Sequence, residues 1–302
     1  MFKLMIARVL RLLPNQAEKT PMVPLQEVDM KKDVLVETSI KRTKISLYYP
    51  LKTNKKKLPV YVNFHGGAFI MNEKEMDDPY CRYLANEADC VVVNVDYAKA
   101  PEYPFPKPIR EAYDILQWLK GRADELKIDA EKITVGGQSS GANIAAALCL
   151  DLEERGEKQP LLQVLSYPML DFVTPHGEKP EPDKWRSRYP QVAQFLNMCY
   201  VPETGQAAHP LASPVLAEVS DRLAPALILI AEFDAFRPEA LRYAEKLNAA
   251  GVHVQEELFE GCSHAFTHLG PKESAEKAWG MIAWKIKDAT ESLEFEARTR
   301  VE

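Results

Sequence analysis

The chain has 302 residues, 46% of them hydrophobic, which suits one large α/β domain, or a core with a small accessory piece, and excludes disorder over most of its length. A formal net charge of -6, spread over 44 acidic and 38 basic residues, gives no electrostatic argument for a nucleic-acid partner. Five cysteines, Cys81, Cys90, Cys149, Cys199 and Cys262, include no C-x-x-C pair, which argues against a disulfide framework and a zinc site.

Met1 to Leu13 sets Phe2, Met5, Ile6, Val9, Leu10 and Leu13 on one helical face, with Lys3, Arg8 and Arg11 away from it and Pro14 at the end. The charges break up the continuous apolar run that a signal peptide needs, and no apolar run approaches bilayer length, so the expected compartment is a reducing cytoplasm. Packing on the rest of the protein is the commoner fate of such a helix; lying on a membrane surface, without stable insertion, is the alternative. Asp33 to Ile40 and Lys44 to Tyr49 then alternate as strands, and the lysine-rich stretch Lys52 to Lys57 reads as a solvated loop.

Beyond it the rhythm changes. Leu58 to Phe64, Cys90 to Val95, Lys132 to Val135, Leu161 to Leu165 and Pro225 to Ile230 are short apolar or β-branched runs of the kind buried on both faces of a parallel sheet. Helical patterns separate them at Asp78 to Glu87, Pro108 to Lys120, Ser140 to Arg155 and Pro238 to Ala250, which implies a doubly wound α/β sheet. Val252 to Phe259 reads as the next strand, and Lys272 to Ile286 as a closing helix with Ala275, Trp279, Ile282 and Ile286 facing inward.

One segment breaks this alternation. Phe172 to Pro210 is rich in proline, with Val192 to Tyr200 its only convincing helical piece, and insertions of that length in compact domains are usually lids or binding loops. Its aromatics Trp185, Tyr189, Phe195 and Tyr200 argue that it packs.

The pentapeptide Gly137-Gln138-Ser139-Ser140-Gly141 lies between a predicted strand and a predicted helix, the setting of a G-x-S-x-G nucleophile elbow. A serine nucleophile needs a base, and the base needs an acid that fixes its tautomer. Asp234 follows the apolar run Leu227 to Ala231, where functional groups of such sheets collect, and Asp171 is a rival acid. Of six histidines, His264 lies just beyond a strand in the required chain order, with His268 its only local competitor. His65-Gly66-Gly67-Ala68-Phe69, directly after a strand, offers Gly66 and Gly67 as oxyanion donors together with the Ser140 amide.

These pieces resemble the hormone-sensitive-lipase-like family of α/β-hydrolase esterases. The resemblance rests on His65 to Phe69, Asp96 to Pro106, Gly137 to Asn143, Ala212 to Ala217, the Asp234 segment and Gly261 to Phe266, in family order across most of the chain. It implies an α/β-hydrolase fold, a mostly parallel central sheet flanked by helices with a small helical cap. It further implies a carboxylic-ester hydrolase with a triad of Ser139, Asp234 and His264 and an oxyanion hole of Gly66, Gly67 and Ser140. On that reading residues 1–45 are an N-terminal cap segment and linker, 172–210 a cap insertion, and 46–171 with 211–302 the core. Gln138, where the family usually has an acidic or other characteristic residue, and Ala68, where it often has a third glycine, are departures that leave acyl-chain preference open.

No cofactor or metal is expected, and a homodimer is left open. Phe69, Phe195, Tyr200 and Phe236 suggest an apolar pocket for a small-molecule ester with a short or medium acyl chain or an aryl group. An amidase or thioesterase would use the same triad. A non-catalytic small-molecule receptor would typically have lost a triad residue, which this chain has not, and a membrane-surface lipase would need interfacial binding through the first helix.

Overall fold

The computed structural model describes residues 2–11, 20–203 and 205–299. Its strands are β1 (Met30–Glu37), β2 (Arg42–Tyr49), β3 (Leu58–Phe64), β4 (Val91–Val95), β5 (Ile128–Gln138), β6 (Gln163–Ser166), β7 (Ala226–Phe233) and β8 (Val254–Ser263). They form one sheet in the order β1-β2-β4-β3-β5-β6-β7-β8, antiparallel from β1 through β4 and parallel from there on.

The centre of the sheet is buried on both faces: β3, β4 and β6 are buried at every position, mostly through apolar residues, and the two-residue strand period divides their side chains between two cores. Val60, Val62 and Phe64 of β3 join a cluster with α3 (Lys107–Gly121), α4 (Ser140–Glu154) and α7 (Arg237–Ala249). Tyr61 points the other way, to α2 (Asp78–Glu87) and α9 (Lys272–Thr299), whose Trp279, Ile282 and Ile286 are fully buried as their spacing predicts. The layers close tightly where β3, β5 and α4 meet. A Cβ on Gly137 would lie 2.2 Å, and one on Gly141 1.9 Å, from the Phe64 carbonyl oxygen, so only glycine allows this approach.

Two expectations change. The sheet begins at Met30, so a boundary at residue 45 cuts through β2; the alternating antiparallel strands β1 and β2 extend the core rather than a separate segment. In α1 (Phe2–Arg11), where the Phe2 and Leu10 side chains lie outside the described set, two residues of the expected apolar face are not buried. Met5 and Val9 are 58% and 56% exposed, while Ala7 is fully buried and Arg11 turns toward the body of the protein. The expected positions Leu13 and Pro14 lie outside the described residues.

Residues 172–210 stand outside the sheet as the short helix α5 (Lys184–Arg188), then α6 (Pro190–Tyr200), with 3-10 turns at His176–Glu178 and Gln206–Ala208. A buried ion pair ties this segment to the core: Lys179 Nζ lies 2.7 Å from the Glu239 carboxylate on α7 and also donates to the Asp171 carbonyl. Burial pushes Glu239 up to about 7, against the pull of Lys179.

Candidate active site

Ser139, Asp234 and His264 each occupy the first position after a strand, at the C-terminal ends of β5, β7 and β8. Parallel strands carry all three to one edge of the sheet, where the chain leaves regular hydrogen bonding and side chains are free to converge. Ser139 sits at φ 53, ψ -112, an unfavourable conformation for a residue with a Cβ. It is held there by the Ser139 amide donating to the Ser166 carbonyl at 2.9 Å and by the glycine-lined crossing beneath it.

His264 Nε2 lies 3.0 Å from Ser139 Oγ, and His264 Nδ1 lies 2.7 Å from Asp234 Oδ2. The other Asp234 oxygen accepts the Phe236 amide at 2.9 Å, so the carboxylate is fixed at both ends. Ring edges steady the imidazole: Tyr167 at 5.0 Å and Phe236 at 5.1 Å between centroids, both T-shaped to it. With the carboxylate accepting at Nδ1, the Nε2 lone pair faces the serine hydroxyl, as a base requires.

The rivals are otherwise engaged. Asp171 accepts the Val173 and Thr174 amides and pairs with Arg242 at 2.6 Å, which makes it a turn-capping residue of the insertion. His268 has both ring nitrogens committed, Nε2 to Asp77 at 2.8 Å and Nδ1 to Thr267 at 2.9 Å.

After β3, the turn Gly67 to Phe69 runs through three consecutive positive φ values of 132, 52 and 62. Gly66, Gly67 and Ala68 line the cavity beside Ser139, and Ser140 opens α4 next to it, fully buried. His65 is fully buried, and burial, helped by Lys99, pushes its imidazole down to about 4. The ring is therefore neutral near pH 7, and its Nδ1–H donates to the Gly66 carbonyl at 2.7 Å.

Over these groups lies a cavity of about 360 Å³. Its floor is the loops named above, and its far wall comes from the 172–210 insertion, including His176, Tyr189, Val192 and Leu196. Of the four aromatics expected there, only Phe236 is part of its lining. Phe69 and Tyr200 stack on each other at 3.5 Å in the core, and Phe195 packs against the same cluster, so these three support the wall from behind. Within the insertion, Tyr200 is fully buried but Tyr189 is 42% exposed at the cavity, and the Trp185 side chain lies outside the described set. No described residue of α1 lines the cavity. Tyr167 was not foreseen, although its place directly after β6 is the same signal that marks the other functional positions.

The comparisons with known proteins agree with this architecture. The alpha/beta hydrolase fold family matches residues 61–268. An arylesterase of Saccharolobus solfataricus is 30% identical over 275 residues, covering 88% of this chain and 86% of that protein. An esterase structure from Pyrobaculum calidifontis superposes with a TM-score of 0.80 at 32% identity, covering 87% of this chain and 86% of the other. The structure of EstE1, a thermophilic carboxylesterase from a metagenomic library, gives 0.82 at 30% identity over 96% of both chains. With the family match spanning most of the chain and the sheet, the chain belongs to the α/β-hydrolase family that contains the hormone-sensitive-lipase-like esterases.

Proposed function

We propose that the protein is a serine carboxylesterase acting through an acyl-enzyme. Ser139 attacks the ester carbonyl while His264 takes its proton at Nε2; Asp234 holds the imidazole and balances the imidazolium. The Gly66, Gly67 and Ser140 amides stabilise the oxyanion. The carbonyl re-forms, His264 protonates the departing alcohol, and water repeats the sequence on the acyl group. The observation that carries this reading is the continuous line from Asp234 Oδ2 through His264 to Ser139 Oγ, at 2.7 and 3.0 Å.

The substrate class proposed is a short- to medium-chain acyl or aryl ester, because a cavity of about 360 Å³ walled by Met71, Met76, Val192, Leu196 and Phe236 suits a small apolar group. A reducing cytoplasm is the proposed compartment, supported by five buried thiols, all free. Among the described residues no helix is long and apolar enough to cross a membrane.

A panel of p-nitrophenyl esters of graded acyl length, with matched anilides and thioesters, tests this. Turnover peaking on short or medium esters and abolished in Ser139→Ala is expected. Anilide or thioester turnover exceeding that of the matched esters would reassign the reaction.

A further inference from the structure

We propose that Arg11, on the first helix, is a positioning residue for the oxyanion turn, an inference that rests on the functional reading above. Its guanidinium makes four hydrogen bonds to two separate loops. Nε donates to the Ile70 carbonyl at 2.9 Å, Nη2 to the Ala100 carbonyl at 2.7 Å, and Nη1 and Nη2 grip the two Glu102 oxygens at 2.8 and 2.7 Å. Ile70 ends the turn that begins at Gly66, and Ala100 already donates its amide to the Phe69 carbonyl at 2.8 Å. The arginine therefore locks the loop after β3 to the loop after β4, immediately behind the candidate oxyanion donors.

The turn needs such a lock. Gly67, Ala68 and Phe69 run in succession through positive φ, and non-glycine residues hold that conformation only where the surroundings over-determine it. Internally, the Gly67 carbonyl accepts the Ile70 and Met71 amides, and Asn72 donates to the Gly66 carbonyl at 3.2 Å. Arg11 adds the external restraint. A planar guanidinium suits it, since its donors are fixed relative to one another and cannot follow the two loops independently as a lysine ammonium would. No described residue of α1 lines the cavity, so the route proposed for Arg11 runs through the geometry of this turn and not through substrate contact.

The distinction is measurable. An oxyanion hole that drifts loses transition-state stabilisation and leaves ground-state binding intact, so the loss belongs in kcat. Arg11→Ala should lower kcat about 10- to 100-fold with KM within about threefold of wild type. It should weaken a trifluoromethyl ketone, whose hemiketal oxyanion occupies the hole, by a similar factor, and leave the acyl-length profile unchanged. Arg11→Lys should be nearly as slow, Glu102→Gln partly slowed, and millimolar ethylguanidinium should restore part of the Arg11→Ala rate. Arg8→Ala, at an exposed position of the same helix, should match wild type.

If Arg11→Ala is folded by circular dichroism and keeps kcat within twofold, or loses KM and acyl preference instead, the proposal is overturned. If it does not fold, Glu102→Gln decides: unchanged kcat and unchanged ketone affinity overturn the proposal, and a parallel loss in both supports it. Ser139→Ala assayed alongside separates the two levels. Activity in Ser139→Ala defeats the functional reading itself, whereas an inactive Ser139→Ala beside a fully active Arg11→Ala defeats only the role of Arg11.

Discussion

Replacing Asp234 with Asn removes one charge and almost no volume, yet the local geometry makes the loss severe. One Asp234 oxygen accepts the Phe236 amide at 2.9 Å and the other faces His264 Nδ1 at 2.7 Å. In the variant the asparagine carbonyl remains with the Phe236 amide, because the alternative would set two N–H groups against each other. The side-chain NH2 then points at Nδ1, which has to accept, and the imidazole proton moves to Nε2, where it faces the Ser139 hydroxyl. The base is lost although every heavy atom stays in place. A wrong tautomer costs on the order of 10⁴ in kcat, or about 5.4 kcal/mol at 1.36 kcal/mol per decade. Steady-state hydrolysis of a short p-nitrophenyl ester measures it, with circular dichroism and thermal melts as checks on folding. Asp171→Asn, whose carboxylate serves a turn and Arg242, should stay within about tenfold of wild type. The reverse ranking in folded variants would transfer the role of acid to Asp171 and refute this reasoning.

Other consequences follow from the buried charges and the cavity wall. Glu239→Ala leaves the Lys179 ammonium buried without its carboxylate and should destabilise the fold by about 3–5 kcal/mol in urea denaturation; a Lys179→Met, Glu239→Leu double variant should recover most of it. If the double variant is as unstable as the single one, the pair contributes more than mutual compensation. Burial alone would raise Asp171, but hydrogen bonds from Thr174 and Arg242, with the Lys179 charge, hold it down to about 2. A depressed folded pKa contributes stability that is present above about 3.8 and lost as pH falls toward 2, so Asp171→Asn should flatten this part of the acid unfolding limb; an unchanged slope would contradict it. Leu196→Trp narrows the cavity from the insertion side and should lower kcat/KM for hexanoate and longer esters at least tenfold more than for acetate, whereas a uniform loss would show that acyl chains lie elsewhere.

The readability of the sequence tracked how local each signal was. Leu58–Phe64 and Asp78–Glu87 match their expected spans because a continuous apolar run and a proline-marked helix start are complete within the segment itself. The last strand was expected to stop at Phe259 but runs on to Ser263, since an edge strand can carry Glu260 and Gly261 in a place where polarity imitates a loop. Lys184–Arg188 was missed for the same reason, being a short charged turn of helix with no apolar stripe. The candidate triad could be read from position because strand ends and chain order are both visible along the sequence. The pocket aromatics could not. Aromatic character predicts burial for Phe69 and Tyr200, but whether a ring faces the cavity or the core behind it depends on stacking between residues more than a hundred positions apart. Arg11 is the extreme case. A charge on an amphipathic helix reads as solvent-facing, while its partners are carbonyls and a carboxylate 59 to 91 residues away.

The nucleophile is the claim on which the rest depends, and covalent labelling tests it most directly. Inactivation by an organophosphate should place one phosphoryl group per chain on the tryptic peptide running from Ile133 to Arg155, and fragmentation is needed because Ser139 and Ser140 lie side by side in it. The account predicts the adduct on Ser139, with labelling abolished in Ser139→Ala and retained in Ser140→Ala. An adduct on Ser140 or on any other residue, or undiminished labelling of Ser139→Ala, would contradict it.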